Sequence, residues 1–193
     1  MPEWNKMLTE NSFCKRKIYK KLLNNRQDVS WKKLFYNNEA RPRAGFTLWM
    51  ACLDRLATKS RLRKFGMLDN DRCVMCAESE DLNHLFFMCT KPRSIWQEIL
   101  RWLHEDHVPS MWECELQWMV NRCKSKSWKS VLLKTAFAET IHACWLYRNS
   151  LIFKNEDKDS GTHRNIARDI IDRIVQRVWN KTSLRGKIVP FLL

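Results

Sequence analysis

Glycine and proline are scarce in this chain of 193 residues, which contains four glycines and five prolines. Loop-rich and disordered proteins use both heavily, whereas this chain has ten tryptophans and nine phenylalanines to fill a core. Long apolar runs are missing, because none approaches the roughly 18 residues that a membrane span requires. The composition therefore predicts a mainly α-helical protein of one or two compact units, without a membrane among its partners.

The N-terminal stretch MPEWNKMLTENSFCKRK lacks the apolar core of a secretory signal peptide, so we expect the protein in the nucleus or cytoplasm. Thiols are kept reduced there, and clustered cysteines are then more typical of a metal site than of disulfides. Isolated cysteines are typical of small buried apolar residues. Five of the eight are of this kind, namely Cys14, Cys52, Cys114, Cys123 and Cys144.

Acidic residues are fewer than basic ones, 21 against 35, and the net charge of +14 is unevenly distributed. Lys/Arg and Asp/Glu number 16 and 6 in residues 1–70, 4 and 9 in residues 71–120, and 15 and 6 in residues 121–193. Both ends are thus basic and the middle is acidic. A chain this basic tends to bind nucleic acid through counterion release, but scattered lysines and arginines can also merely solvate helix faces.

Two segments combine an apolar stripe at helical spacing with a basic face. The first lies within residues 1–28, and its basic residues are Lys15, Arg16, Lys17, Lys20 and Lys21. The second starts near residue 164 and directs Arg164, Arg168, Arg173, Arg177 and Lys181 toward solvent. Its inner stripe is Ile166, Ile170, Ile174 and Val178. Both basic faces are candidate binding sites for the phosphates of RNA or DNA.

Apolar spacing and capping residues predict further helices between these two segments. A short helix over 29–37 has Ser30 as a candidate N-cap. Its expected buried residues are Trp31, Leu34 and Phe35. Residues 44–57 place a wide apolar stripe on one helix face, which we expect to be core. That stripe is Phe46, Trp49, Met50, Leu53, Leu56 and Ala57.

Thr58 and Gly66 predict the start and the end of a helical turn, because glycine readily adopts the left-handed conformation of a C-terminal cap. Proline is tolerated only in the first turn of a helix, so Pro92 places a helix start at about Thr90. The longest periodic segment covers residues 128–153. Its inner stripe is Leu133, Phe137, Ile141, Cys144 and Trp145.

Three cysteines and one histidine lie within seventeen residues, in the pattern C-x2-C-x7-H-x4-C formed by Cys73, Cys76, His84 and Cys89. Zinc prefers four such ligands in a tetrahedron, and three thiolates with one imidazole leave no position for water. The spacing therefore favours a structural Zn²⁺ site over a catalytic one, with chance clustering of core residues as the alternative. A turn capped by Asp81 must end before Cys89 if both later ligands are to face one ion.

Candidate catalytic groups are weak by comparison. His104, Glu105, Asp106 and His107 form the sequence HEDH before a proline, which is typical of a solvated loop, and we interpret Glu113 and Glu115 in the same way. His142 falls in an apolar helix, as a core histidine does. No glycine-rich phosphate-binding loop occurs.

The order of the motifs resembles the zinc-binding domain that follows the reverse transcriptase in plant LINE-type (non-LTR) retrotransposons. The motifs are Pro42-Arg43, Phe46 with Trp49, Leu56-Ala57-Thr58, Cys73 with Cys76, His84-Leu85-Phe86 with Cys89, and Ile95-Trp96. The stretch WLYRNSLIF at 145–153 is similar to the Trp-x2-Arg-Asn helix that often follows this domain. The resemblance covers roughly residues 12–155 and implies a retroelement polyprotein or a host gene derived from one.

A Tyr-x-Asp-Asp polymerase motif and the strand pattern of an RNase H are absent from the sequence, so we expect no enzyme activity. The expected organisation is a basic helix at 1–28, the zinc-binding domain at 29–104, a helical extension at 105–155, a linker at 156–163 and a basic amphipathic helix with its tail at 164–193. The leading hypothesis is a non-catalytic zinc-binding module that binds RNA or DNA through its basic flanks. The alternative is a protein-interaction scaffold in which the C-terminal helix pairs with a partner.

Overall fold

A computed structural model describes residues 29–153, 162–181, 185–187 and 189–191 of the chain. The helices in these ranges are α1 Pro42–Cys52, α2 Lys59–Lys64, α3 Thr90–Trp102, α4 Trp112–Arg122, α5 Trp128–Phe153 and α6 Thr162–Trp179. In the same ranges there is one isolated antiparallel bridge, between Arg72 and Ser79, and no β-strand. The predicted mainly α-helical fold is confirmed. None of the described helices is long and apolar enough to cross a membrane.

Helix α5 is the centre of the packing, since it contacts both α1 and α6, and α3 in turn packs on α6. Four residues of its predicted stripe are buried, Leu133, Phe137, Ile141 and Cys144, while the fifth, Trp145, is only partly buried. One hydrophobic cluster includes residues from Leu34 to Val178. The helical elements therefore share a core that extends on both sides of residue 104, while the predicted domain boundaries themselves stay a prediction.

The predicted core face of α1 is wrong for its two aromatic residues, although Leu56 is buried and Met50 packs against the core as predicted. Phe46 and Trp49 are 59% and 41% exposed, whereas Ala44, Leu48 and Ala51 are fully buried. Two alanines on this opposite face let the backbone of α1 approach α5 closely, which bulky aromatic side chains would prevent. The aromatic stripe is thus left at the surface.

The short segment before α1 also differs from expectation. It forms a 3-10 turn over Ser30–Leu34 whose N-cap is Val29, so Ser30 lies inside the turn and does not cap it. Leu34 is fully buried as predicted, but Trp31 and Phe35 are only partly buried. A single turn cannot bury residues on all of its sides.

Both predicted boundaries of α2 are confirmed. The Thr58 side chain accepts a hydrogen bond from the Arg61 amide at the N-terminus. At the C-terminus Gly66 has φ +69°, and the amides of Gly66 and Met67 donate to the carbonyls of Arg63 and Leu62 at 2.9 and 3.0 Å. This is the Schellman arrangement, which satisfies the last carbonyls of a helix.

Two glycine substitutions should change stability in opposite directions. Gly66→Ala should destabilise the protein by about 1 kcal/mol, because alanine pays a steric cost at positive φ. Gly45→Ala, inside α1 with no atom within 4 Å of the added methyl group, should stabilise it by about 0.5–1 kcal/mol. Denaturant unfolding of both variants measures the pair, and equal signs would contradict the assigned backbone conformations.

Candidate metal centre

A tight hairpin positions the first two cysteines of the cluster. The Cys73 amide donates to the Glu78 carbonyl at 2.6 Å, and the Ala77 amide donates back to the Cys73 carbonyl at 3.0 Å. Ala77 adopts φ +65°, which reverses the chain directly after Cys76. Because two residues separate the cysteines in one turn, both thiols can face the same side.

A π-helical turn over His84–Met88 positions the other two residues. The Asp81 carboxylate accepts a hydrogen bond from the His84 amide at 2.7 Å, so the predicted cap is present. The Cys89 amide donates to the His84 carbonyl at 2.8 Å, across five residues. An α-helix would leave residue i+5 off to one side, whereas this wider turn places it near residue i. Cys89 itself is extended, so the turn ends before it as expected.

The four side chains converge, because the ligand atoms of Cys73, Cys76, His84 and Cys89 all lie within 4.8 Å of one another. Cys76 Sγ lies 3.8 Å from Cys89 Sγ and 3.0 Å from His84 Nε2. A zinc tetrahedron has edges of about 3.8 Å between sulfurs and about 3.5 Å between sulfur and nitrogen, given its bond lengths. The group therefore fits a tetrahedral metal once the sulfur–imidazole contact lengthens by about 0.5 Å.

Local hydrogen bonds favour a thiolate at Cys73. The neighbouring Cys89 thiol has the largest effect on the pKa of Cys73, and the Met75 amide donates a hydrogen bond to Cys73 Sγ at 3.4 Å. Together they lower the pKa of Cys73 to about 4 against the opposing effect of burial. The proximity of Cys73 and burial raise the pKa of Cys89, so Cys89 keeps its proton when Cys73 is a thiolate. Thiolates are the form in which cysteine binds metals.

The comparisons with known proteins bear on this cluster. Residues 13–96 match the family model for zinc-binding in reverse transcriptase. The matched region contains all four cluster residues and ends inside α3. Comparison with curated proteins and with solved structures gave no match. The resemblance of these residues to a reverse-transcriptase zinc-binding domain, which is a metal-binding and not a catalytic unit, is thus supported independently of the cluster geometry.

Burial shows how the matched region attaches the centre to the core. Cys73 and Cys89 are 4% and 1% exposed, whereas Cys76 is exposed and His84 is partly buried. Leu85, Phe86 and Phe87 in the π-helical turn are almost completely buried, and the two phenylalanines contact the ring of Trp112. The centre lies at the edge of the core, with one side at the surface.

A buried ion pair ties the hairpin to α5. The Glu80 carboxylate is fully buried and accepts hydrogen bonds from the Arg148 guanidinium, with 3.0 Å to Nε. It also accepts from the Lys59 amide at the start of α2, at 3.0 Å. Glu80 is four residues after Cys76, so this pair fixes the cysteine hairpin against α5.

Arg148 belongs to the Trp-x2-Arg-Asn motif, which lies beyond the residues that match the family model. Its guanidinium is 5.1 Å from the Trp145 ring and donates to Asn149 Oδ1 at 2.9 Å. Trp145 and Asn149 of the motif thus contact the buried cation that Arg148 supplies. The motif was visible in the sequence, but its partner Glu80 is 68 residues away and carried no local signal.

Two other acidic residues were missed because they looked solvated or unremarkable. Glu115 is fully buried, so the prediction that it lies in a solvated stretch is wrong. It accepts hydrogen bonds from Trp96 Nε1 at 2.6 Å and lies 2.8 Å from His107 Nε2. Glu139 is likewise buried and binds the Arg41 side chain. Both carboxylates have partners that satisfy them, and both therefore support packing.

The basic residues predicted to bind nucleic acid separate into three groups. Arg164, Arg168 and Arg173 are exposed on α6. Arg177 is partly buried, and its Nε donates to the Glu39 carbonyl at 2.7 Å, so it is engaged in packing rather than directed freely to solvent. The N-terminal set lies outside the described residues, namely Lys15, Arg16, Lys17, Lys20 and Lys21.

The apolar stripe of α6 is largely as predicted. Ile170, Ile174 and Val178 are buried, with Ala167 beside them, while Ile166 is only partly buried. This face packs on α3 and α5 of the same chain. A partner helix could therefore not use the α6 stripe without displacing it from the core.

Proposed function

We propose that Cys73, Cys76, His84 and Cys89 hold one structural Zn²⁺ ion and that the chain is a non-catalytic module of retroelement origin. The observation that carries this proposal is the convergence of three thiols and one imidazole within 4.8 Å. When bound, zinc would supply folding free energy and no reaction step, because four protein ligands close its coordination shell. A plant LINE-type polyprotein, or a host gene derived from one, is the origin that the motif order favours.

The second part of the proposal is that the module binds RNA or DNA through its basic flanks, in the nucleus or cytoplasm. On α6, Arg164, Arg168 and Arg173 are exposed and have no ion-pair partner among the described residues. Arginines in this state can replace counterions on phosphates at little desolvation cost. The scaffold alternative loses its main support, because the apolar face of α6 is buried within the chain.

Salt-titrated binding tests the nucleic-acid part. Binding constants for nucleic acid fall as salt rises. Converting Arg164, Arg168 and Arg173 to glutamine should reduce the magnitude of the slope of log K against log salt by about two to three, since each lost phosphate contact removes about 0.7–0.9. Fluorescence anisotropy with labelled single-stranded RNA and DNA measures this slope. Converting Lys124, Lys126 and Lys129 to glutamine removes the same charge away from α6 and serves as the control, for which we expect a smaller change in slope.

The N-terminal basic set is tested in the same assay. Converting its five residues to glutamine should reduce the magnitude of the slope of log K against log salt by about 3.5–4.5, without changing the zinc content. An unchanged slope in both the N-terminal and the α6 variants would exclude phosphate binding by the flanks and leave the scaffold function ahead.

A further inference from the structure

An open groove runs between α1 and α5 and is lined by Phe46, one of the two aromatic residues that the fold leaves at the surface. Its volume is about 630 Å³, and its apolar lining includes Phe46, Met50, Trp145 and Leu146. Trp49 lies next to Phe46, with the ring centroids 5.7 Å apart. These two rings, at 59% and 41% exposure, are unusual for a surface because large aromatic side chains are mostly buried.

The charged residues along this α1–α5 groove are basic. Arg43 and Arg55 line it and are exposed, and no acidic side chain lines it among the described residues. Neither guanidinium has an ion-pair partner in the described part of the chain. The pKa of His142 in the groove wall is lowered, chiefly by burial. The positive charges of Arg41, Arg173 and Arg43 lower it further, and the Glu139 carboxylate opposes them. The groove therefore has a positive potential over an apolar, aromatic floor.

The groove is continuous with the basic surface of α6. Leu146 lines the α1–α5 groove and also a second cleft of about 690 Å³ between α5 and α6. The second cleft contains Arg173 together with Asp169. A flexible polyanion could thus follow one path from the α6 arginines across Leu146 to the exposed aromatic rings.

We propose that the α1–α5 groove binds single-stranded nucleic acid, with bases stacked on Phe46 and Trp49 and phosphates held by Arg43 and Arg55. This inference rests on the proposed nucleic-acid function and assigns the strand type and the contact residues. Single strands offer free base faces to aromatic rings, whereas the bases of a duplex are already stacked on each other. An apolar peptide would use the rings but not the unpaired guanidinium groups.

A stacking test uses two labelled probes of equal charge, an oligothymidine of roughly 12 nucleotides and an abasic strand of the same length. Phe46→Ala and Trp49→Ala should each weaken oligothymidine binding by about fivefold to 150-fold, because stacking contributes that much per base. Both should leave abasic-strand binding and the salt slope unchanged. Phe65→Ala removes an equally exposed aromatic ring outside the groove and should bind oligothymidine like the wild type. Zinc content and the thermal midpoint verify that each variant is folded.

The outcomes separate this inference from the proposed function. One outcome is that the wild type binds with steep salt dependence while Phe46→Ala and Trp49→Ala bind oligothymidine equally well. That result would overturn the groove inference and leave nucleic-acid binding by the basic flanks in place. Wild-type protein that binds neither probe at low salt would overturn both. Self-association in sedimentation that Phe46→Ala abolishes, with oligothymidine binding intact, would assign the groove to a second copy of the chain and overturn the inference.

Discussion

Each purified chain should contain one zinc ion, and losing one cysteine ligand should remove both the metal and most of the stability. The four ligands come together only when the chain folds, so the free energy of metal binding adds to the free energy of folding. For a structural zinc site this contribution is on the order of 10 kcal/mol. Cys73→Ser and Cys89→Ser should therefore lower the zinc content and unfold at much lower denaturant concentration. Elemental analysis and denaturant unfolding of the same preparations measure the two quantities.

Cys144→Ser is the matched control for the zinc ligands. Cys144 is as buried as Cys89, at 1% exposure, but lies on α5 away from the four-residue group. Its replacement introduces a buried hydroxyl group and should cost about 1–3 kcal/mol, with the zinc content unchanged. Equal zinc loss in all three variants would show that zinc depends on global folding and not on the assigned ligands.

Arg148→Met should destabilise the protein by about 3–5 kcal/mol, the cost of leaving a buried charge without its partner. The uncompensated group is the Glu80 carboxylate, which is fully buried beside the cysteine hairpin. Denaturant unfolding of the zinc-loaded protein measures the loss. Zinc affinity should fall as well, because the hairpin loses its attachment to α5.

Two further variants separate the buried charge from the loss of packing. Glu80→Gln combined with Arg148→Met should be more stable than Arg148→Met alone, since the neutral amide still offers an oxygen to the Lys59 amide. Arg101→Met removes an exposed arginine paired with Glu98 and should cost only about 0–1 kcal/mol. If Arg101→Met and Arg148→Met cost the same, the Glu80 pair is not a major support of the hairpin.

The elements that sequence reasoning predicted correctly depend on contacts between near neighbours. Residues 128–153 form one helix as predicted, and Gly66 ends α2 because few other residues adopt its positive φ cheaply. Pro92 lies in the first turn of α3 for an equally local reason. The Cys3His group was identified from spacing, because metal geometry restricts which separations can close on one ion.

The wrong predictions for α1 concern which face of the helix is buried. Phe46 and Trp49 looked like core residues because they are apolar and helically spaced, yet the structure buries Ala44, Leu48 and Ala51. Both stripes satisfy helical periodicity, and the choice is made by how closely α5 can approach. No pattern within α1 contains that information.

The amino-acid sequence by itself determined the helical class, the two ends of α2, the start of α3 and the identity of the four candidate ligands, since each depends on residues close together in the chain. Only the tertiary structure decided that Arg148 neutralises Glu80, that Glu115 is buried and that Arg177 binds the Glu39 backbone. Burial of a charge is favourable only when a partner compensates its desolvation, and these partners come from distant segments. The fold therefore selects which charged residues stabilise the core and which remain at the surface for a ligand.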